Sequence, residues 1–132
     1  MAANSPSDSG KNWLKIGIIA FVVQGSWTLW ANWGHGLVKA APSALMQGVF
    51  SGISASIMTL MMDKFFHLLK PSKARPAICI VVTSIGMALV LTLLHILIGT
   101  PEIFKTLLLP CFAIFAYAIG YTSHLRTRGA SL

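Results

Sequence analysis

The chain has 132 residues, of which 55% are hydrophobic and only 10% are charged. A soluble domain typically carries about 25% charged residues, so this composition excludes an ordinary water-soluble protein and indicates an integral membrane protein. Ten Lys and Arg residues against three Asp and Glu residues give a formal net charge of +7. These basic residues flank apolar stretches and form no basic face with interleaved aromatic residues, so nucleic acid is not an expected partner.

The first ten residues, MAANSPSDSG, differ in composition from the rest of the chain. They are polar and small, and we expect residues 1–10 to form a disordered tail. The apolar stretch that follows continues to Trp33. It is longer than the apolar core of about 7–15 residues in a cleaved signal peptide. We therefore predict a single four-span transmembrane domain over residues 11–132.

Four apolar stretches have the length of roughly 20 residues that crosses the hydrocarbon core of a bilayer. The predicted spans cover residues 13–33, 43–69, 77–98 and 101–124. The second span is long enough to tilt or to extend into the headgroup region. Because the connections are short, successive spans should lie side by side in opposite directions. The sequence thus predicts an all-α membrane protein with an antiparallel four-helix transmembrane bundle.

The positions of the basic residues predict the orientation of the spans, because cytoplasmic flanks are enriched in Lys and Arg. The N-terminal flank, the 70–75 linker and the C-terminal HLRTR hold most of them, whereas the opposite side holds Lys39 and Lys105. We therefore expect both termini in the cytoplasm. The loops at 34–42 and 99–100 should face outward, and we expect the membrane to be a bacterial inner membrane.

The two halves of the chain share a weak pattern. His35 ends one span and Pro42 precedes the next, while His95 ends another span and Pro101 precedes the last. Both halves would have the same orientation in the membrane. The pattern therefore predicts, at most, a weak parallel duplication of two spans.

Polar residues recur on one face of the first span. Gln24, Thr28, Asn32 and His35 follow one another at intervals of four, four and three, which places them on one side of a helix. Polar side chains within a membrane turn toward the protein interior or toward a wet cavity. The predicted ligand-binding residues of an outward-facing polar pocket are Gln24, Asn32, His35, His95 and Glu102. The alternative is interhelical hydrogen bonding, worth about 0.6 kcal/mol per bond.

The segment GTPE, residues 99–102, also has a purely structural interpretation. Gly99 can end a helix in the left-handed conformation, and Thr100 is a good N-cap for the next one. Pro101 suits the first helical position, and Glu102 would interact favourably with the helix dipole. We therefore expect these residues to form a tight turn, whether or not Glu102 also contributes to a site.

The four histidines offer a different kind of site. His35 and His95 are predicted near one face of the membrane, and His67 and His124 near the other. Two bis-histidine haem b groups would need such pairs. A metal site formed by His35, His95 and Glu102 is a further alternative. Two histidines must lie at the same depth in the membrane to bind one haem, but equal depth alone does not show that they do. We therefore expect neither haem nor a bound metal.

The function classes follow from these residues. We find no nucleophile–base arrangement, phosphate-binding loop or pair of acidic residues, so an enzyme is not the favoured reading. The leading hypothesis is a small transporter component or accessory subunit that handles a lipid or small polar solute in the pocket. The alternatives are a bis-histidine haem b redox protein and a small enzyme with a His/Glu site. Expected partners are membrane lipids and either further copies of the chain or another membrane subunit.

Overall fold

The chain forms four long helices in a computed structural model that describes residues 6–69 and 73–129, with side chains described for 14–69 and 73–127. Helix α1 spans Pro6–Asn32, α2 spans Leu37–Leu68, α3 spans Arg75–Ile98 and α4 spans Ile103–Gly129. A short 3-10 helix, Trp33–His35, joins α1 to α2. The described residues include no β-strand, which confirms the all-α prediction for this part of the chain.

All four helices are long and apolar enough to cross a membrane. Their outer faces carry large apolar side chains, such as Leu89 and Phe104, which are 65% and 81% exposed. Water-soluble proteins rarely expose a continuous apolar surface of this kind. These features identify an integral membrane protein.

The helices begin at different residues from those predicted. Residues 1–5 of the predicted tail lie outside the described residues, and residues 6–10 belong to α1. Helix α2 begins at Leu37 rather than at residue 43, because Gly36 adopts a backbone conformation from which the helix can start. Gly36 has a φ of 84°, which glycine adopts without steric strain, and its carbonyl accepts the N–H groups of Lys39 and Ala40. Pro42 therefore lies inside α2.

The end of α3 matches the sequence prediction. Gly99 adopts the left-handed conformation, with φ 72° and ψ 39°. Its N–H donates to the carbonyl of Ile96, and the N–H of Thr100 donates to the carbonyl of His95, both at 3.0 Å. This pair of bonds is a Schellman motif, which satisfies carbonyls that have no partner further along the helix. The next helix, α4, begins at Ile103 rather than at residue 101.

Helix α2 is central to the packing. It packs against α1, α3 and α4, whereas no Cα atom of α1 lies within 8 Å of one in α3 among the described residues. Helices α1 and α2 approach closely through small residues: a Cβ at Gly17 would lie 3.2 Å from the carbonyl oxygen of Gly52, and one at Gly25 would lie 3.2 Å from that of Ala44. Small residues allow such backbone contact between membrane helices.

A buried apolar cluster joins α2 to α3 and α4. Met62 of α2, Leu91 of α3 and Ala118 of α4 are each 0% exposed within it. Van der Waals packing of this kind drives helix association in lipid, because the lipid tails are as apolar as the side chains. The cluster therefore packs one side of α2. On the side toward α1, the glycines allow direct contact between the two backbones.

Gly48 provides a test of the contact between α1 and α2. A Cβ at this position would lie 2.8 Å from the ring of Phe21 and 3.1 Å from its carbonyl oxygen, so Gly48→Val should force the helices apart. We expect the free energy of unfolding to fall by about 1–3 kcal/mol, the usual range for overpacking, in an SDS titration of the purified protein. Gly86→Val is the matched control, because a Cβ there meets nothing within 4 Å. Equal losses in the two variants would contradict the packing described here.

Candidate functional site

Three of the predicted site residues meet where the two helix turns lie together, which we name the Glu102 end (residues 33–36 and 99–102). The backbone N–H of Glu102 donates to Oδ1 of Asn32 at 2.9 Å. Nε2 of His35 lies 3.0 Å from a carboxylate oxygen of Glu102, and these two side chains are 42% and 47% exposed. An ion pair this exposed contributes little to stability. The structure thus brings together three of the five predicted ligand-binding residues, Asn32, His35 and Glu102.

Asn32 links α1 to the beginning of α4 through hydrogen bonds. Its side chain is fully buried, and Nδ2 donates to the carbonyl of Thr28 at 2.9 Å and to Oγ1 of Thr106 at 2.8 Å. Its Oδ1 accepts the N–H of Glu102, the residue that precedes α4. Asn32 thus supplies, from another helix, an acceptor for the N-terminus of α4, which has N–H groups without intrahelical partners. Both amide N–H groups and the amide oxygen are therefore engaged.

His95 lies fully buried in a separate hydrogen-bonded chain between α2 and α3. Its Nε2 is 2.9 Å from Oε1 of Gln47, and its Nδ1 is 2.8 Å from Oγ1 of Thr100. The Thr100 oxygen is also 2.8 Å from Oγ of Ser43, and Nε2 of Gln47 donates to Oγ of Ser51 at 3.0 Å. The Thr100 hydroxyl therefore forms hydrogen bonds with His95 and Ser43. The hydrogen bond to the start of α4 comes instead from Asn32.

Gln24 lies apart from the Glu102 end. It precedes Asn32 by two turns of α1, about 12 Å along a helix axis. There it lines a cleft of about 210 Å³ between α1, α2 and α4. Its side chain is 8% exposed, and its Oε1 has no hydrogen-bond partner among the described residues. A buried carbonyl oxygen without a partner is costly, so a ligand or water in the cleft that donated to this atom would remove that cost.

The cleft has mostly apolar walls with a few polar groups. Ile16, Phe50 and Met58 are among the apolar residues that line it. A neighbouring cavity of about 270 Å³ shares Ser51 and Tyr117 with the cleft. The additional polar lining residues of the two cavities, beyond Gln24 and these two, are Gln47, Ser54, Ser56 and Thr59. Apolar walls with a small number of polar groups are typical of small-molecule and lipid sites.

Trp27 holds α1 to α4 at the turn that Pro110 interrupts. Proline has no N–H and cannot donate to the carbonyl four residues earlier, which is that of Thr106. Nε1 of Trp27 donates to this carbonyl at 3.2 Å and to that of Lys105 at 3.3 Å. A broken helical bond is tolerated in a membrane when a neighbouring helix satisfies the freed group. Sequence reasoning missed this role of Trp27, and the available signal was a proline inside the fourth predicted span.

The remaining two histidines lie at the opposite end of the molecule, which we name the Asp63 end (residues 60–69, 73–80 and 119–127). His67 and His124 are both exposed there. The His124 ring lies 6.2 Å from that of Tyr121, whose hydroxyl donates to Oδ1 of Asp63 at 2.9 Å. The structure thus places His67 and His124 at one end and His35 and His95 toward the other.

The surroundings of His95 bear on the haem and metal alternatives. Both of its ring nitrogens are within hydrogen-bond distance of a partner, so coordination of haem iron would require one of these contacts to break. In the part of the chain that the structure describes, no group of three or more His, Cys, Asp and Glu side chains could hold a metal ion.

No protein-family model matches the chain, and no curated protein or solved structure shows significant similarity to it. The basis for a functional assignment is therefore the cleft and the hydrogen-bonded residues beside it.

Trp27→Phe and Pro110→Ala test whether the indole N–H compensates for the proline. The first change removes the donor, and the second restores an N–H that can bond the Thr106 carbonyl within α4. We expect Trp27→Phe to lower the free energy of unfolding by about 1 kcal/mol in the wild-type background and by less in the Pro110→Ala background. A double-mutant cycle in detergent measures this difference.

Trp33→Phe is the control for this cycle. The Trp33 side chain is 60% exposed, and the same indole N–H is removed at a position away from Pro110. Its effect should be the same with and without Pro110. Strict additivity of Trp27→Phe and Pro110→Ala would show that the two residues act independently.

Proposed function

We propose that this chain is a transporter component or accessory subunit that binds an amphipathic lipid or a small polar solute in the cleft between α1, α2 and α4. The observation that carries the proposal is the Oε1 atom of Gln24, which is buried in the cleft wall and lacks a partner among the described residues. A ligand hydroxyl or N–H would donate to this atom, while an apolar portion of the ligand would lie against Ile16, Phe50 and Met58.

The composition of the walls favours a lipid over a fully polar solute. A polar solute would lose its hydration in the cleft without regaining enough hydrogen bonds, whereas an acyl or isoprenoid chain loses nothing on leaving the bilayer. Ser54 and Tyr117 add further polar atoms beside Gln24. The Glu102 end and the adjoining helix ends would form the outward-facing portion of the ligand-binding region, with Asn32, His35, His95 and Glu102 as its residues.

We further propose that the four helices form an antiparallel bundle. In support, Gly17 faces Gly52 whereas Gly25 faces Ala44, so the order of contacts reverses between α1 and α2. The α2–α3 contacts also reverse, since His95 bonds Gln47 and the Cys79 thiol bonds the Met62 carbonyl. A weak duplication gains support from the turns of the two halves, because each contains a glycine with positive φ, Gly36 or Gly99.

Both termini are proposed to lie in the cytoplasm of a bacterial cell, with the protein in the inner membrane. The basic residues support this orientation, because Lys64, Lys73 and Arg126 belong to the Asp63 end or its flank, whereas Lys39 and Lys105 belong near the other end. As the described residues supply four spans, a small number for a transporter, we also propose that the chain works as a homo-oligomer or with a partner membrane subunit.

Single cysteines test the orientation. In a background with Cys79 and Cys111 replaced by Ala, Gly34→Cys should react with a membrane-impermeant maleimide in intact bacterial cells, because Gly34 lies in the proposed outer turn. Ala74→Cys, in the turn between α2 and α3, should react only after the inner membrane is permeabilised. The reverse labelling pattern would show that the termini face outward.

Native mass spectrometry tests the ligand site. Wild-type protein purified in a mild detergent should retain a lipid of defined mass, and Gln24→Leu should weaken its retention by up to about tenfold, the equivalent of about 1.4 kcal/mol for one hydrogen bond. Thr83→Val is the matched control, because Thr83 is a fully buried polar residue of α3 outside the cleft lining. This control should retain the lipid as the wild type does.

The same spectra distinguish the remaining possibilities. Bare wild-type protein, or equal retention by wild type and Gln24→Leu, would remove the support for the lipid site. A mass increment of haem, together with its visible absorption, would instead favour the redox alternative. The charge-state series also reports whether one or several copies of the chain associate.

A further inference from the structure

The cleft has a closed, polar end near the middle of the membrane. Of the residues that line the cleft, Gln24, Gln47 and Pro110 are the nearest to the Glu102 end on their respective helices, and all three are buried. Gln24 precedes Trp33 by nine residues, about 14 Å along the helix axis, which is close to half of a hydrocarbon core of about 30 Å. Two amide side chains therefore lie at the closed end, at about the depth of the bilayer midplane.

The cleft opens sideways, between α1 and α4, toward the lipid on the side of the Asp63 end. Ile16 of α1 and Ala113 of α4 line the cleft and are also exposed, Ile16 at 61%. The hydrogen bonds described between α1 and α4 lie on the Glu102 side of Gln24, so none of them crosses this opening. A chain attached to a molecule in the cleft can therefore leave between the two helices and lie among the lipid tails.

The walls of the cleft select an uncharged headgroup. No Asp, Glu, Lys, Arg or His is among the described residues that line the cleft or the neighbouring cavity. A phosphate or carboxylate at this depth would lose its hydration without gaining an opposite charge, which is strongly unfavourable. A phospholipid therefore cannot bring its headgroup to Gln24, whereas a lipid with an uncharged head can.

The polar groups of the cleft offer both an acceptor and a donor. Oε1 of Gln24 has no partner among the described residues. This atom is covered within the cleft wall, and the last side-chain torsion of a glutamine is broad, so a rotation of the amide brings it to the cavity. The Ser51 oxygen accepts from Nε2 of Gln47 at 3.0 Å, and its own hydroxyl hydrogen has no acceptor among the described residues. Gly25 packs against Gly48, which places Gln24 about one helical turn from Ser51.

The size and the walls of the cleft suit a ring. Its volume is about 210 Å³, and an apolar cavity of about 150 Å³ is already large enough for benzene. Phe50 and Tyr117 are among the lining residues, and aromatic rings pack favourably against one another. A substituted ring that carries one long chain therefore matches the closed polar end and the sideways opening together.

We propose that the ligand of the cleft is an isoprenoid quinol, a hydroquinone ring with one polyisoprenoid chain. The proposal rests on the lipid site proposed above and names the ligand of that site. One ring hydroxyl donates to Oε1 of Gln24, and the oxygen on the opposite edge of the ring accepts from the hydroxyl of Ser51. The chain leaves between Ile16 and Ala113 and lies in the leaflet on the side of the Asp63 end.

The oxidation state of the ring decides whether Gln24 gains a partner. A hydroquinone hydroxyl can donate to Oε1, whereas the carbonyl oxygen of a quinone can only accept. The oxygen atoms of both forms can accept from Ser51. The site therefore binds the reduced ring more tightly than the oxidised ring.

Binding of decylubiquinol and decylubiquinone, measured in parallel, tests the proposal. The full chain is purified in a mild detergent and immobilised, and the depletion of each probe from the micelles is measured by chromatography of the probe without oxygen. We expect the dissociation constant of the quinol to be lower by about tenfold, the equivalent of about 1.4 kcal/mol. This comparison uses the wild-type protein and requires no variant to fold.

Variants separate the two hydrogen bonds. Gln24→Leu should raise the dissociation constant of the quinol to that of the quinone and leave the quinone unchanged. Ser51→Ala should weaken the binding of both forms by the same factor, because each form has an oxygen that accepts from Ser51. Thr92→Val is the control, because Thr92 donates to the carbonyl of Ala88 in its own helix and does not line the cleft. Only variants that match the wild type in size-exclusion elution and helical circular dichroism are compared.

The proposal is overturned if the quinol binds no more tightly than the quinone, or if Gln24→Leu keeps the wild-type preference. Retention of another uncharged lipid, such as diacylglycerol, in the native mass spectra without a preference for the quinol would remove the quinol and leave the lipid site. Bare protein in those spectra, together with no binding of either probe, would remove both.

Discussion

The buried amide of Asn32 joins the two halves of the molecule. The first N–H groups of α4 have no partner within the helix, so a hydrogen bond from elsewhere in the protein stabilises its start. Asn32 reaches Glu102 and Thr106 from the end of α1, and this contact keeps the two turns together at the Glu102 end. The exposed pair of His35 and Glu102 lies beside this contact, and the cleft begins two turns farther along α1, at Gln24.

The cleft exists because α2 packs differently on its two sides. Toward α1, glycines bring the two backbones into direct contact, and toward α3 and α4 a methionine-rich cluster fills the space. The hydrogen bonds described between α1 and α4 all involve Trp27 or Asn32, which lie near the Glu102 end. Farther from the Glu102 end, no described hydrogen bond or glycine contact holds α1 against α4. The two cavities occupy the space between these helices.

The sequence predicts local features well and pairings between helices poorly. The four apolar stretches and the left-handed Gly99 follow from composition and chain chemistry, and both are confirmed. Helix α2 starts at Leu37, before the predicted span at residue 43, because Gly36 makes a start ahead of Pro42 possible. The spacing of the polar residues places Gln47 on a polar face of the second span, but it does not show that His95 is its hydrogen-bond partner. That pairing depends on how α2 and α3 are rotated and shifted against each other, which only the packed structure shows.

The length of α2 has a consequence for how the protein sits in a bilayer. Its 32 residues extend for about 48 Å, against a hydrocarbon core of about 30 Å. Such a helix must tilt or project, and its tilt depends on the thickness of the surrounding lipid. Helix α1 follows α2 because their backbones touch at Gly17 and Gly52, whereas α4 is tied to α1 near one end. The acyl-chain length of the host membrane therefore acts on the width of the gap between α1 and α4.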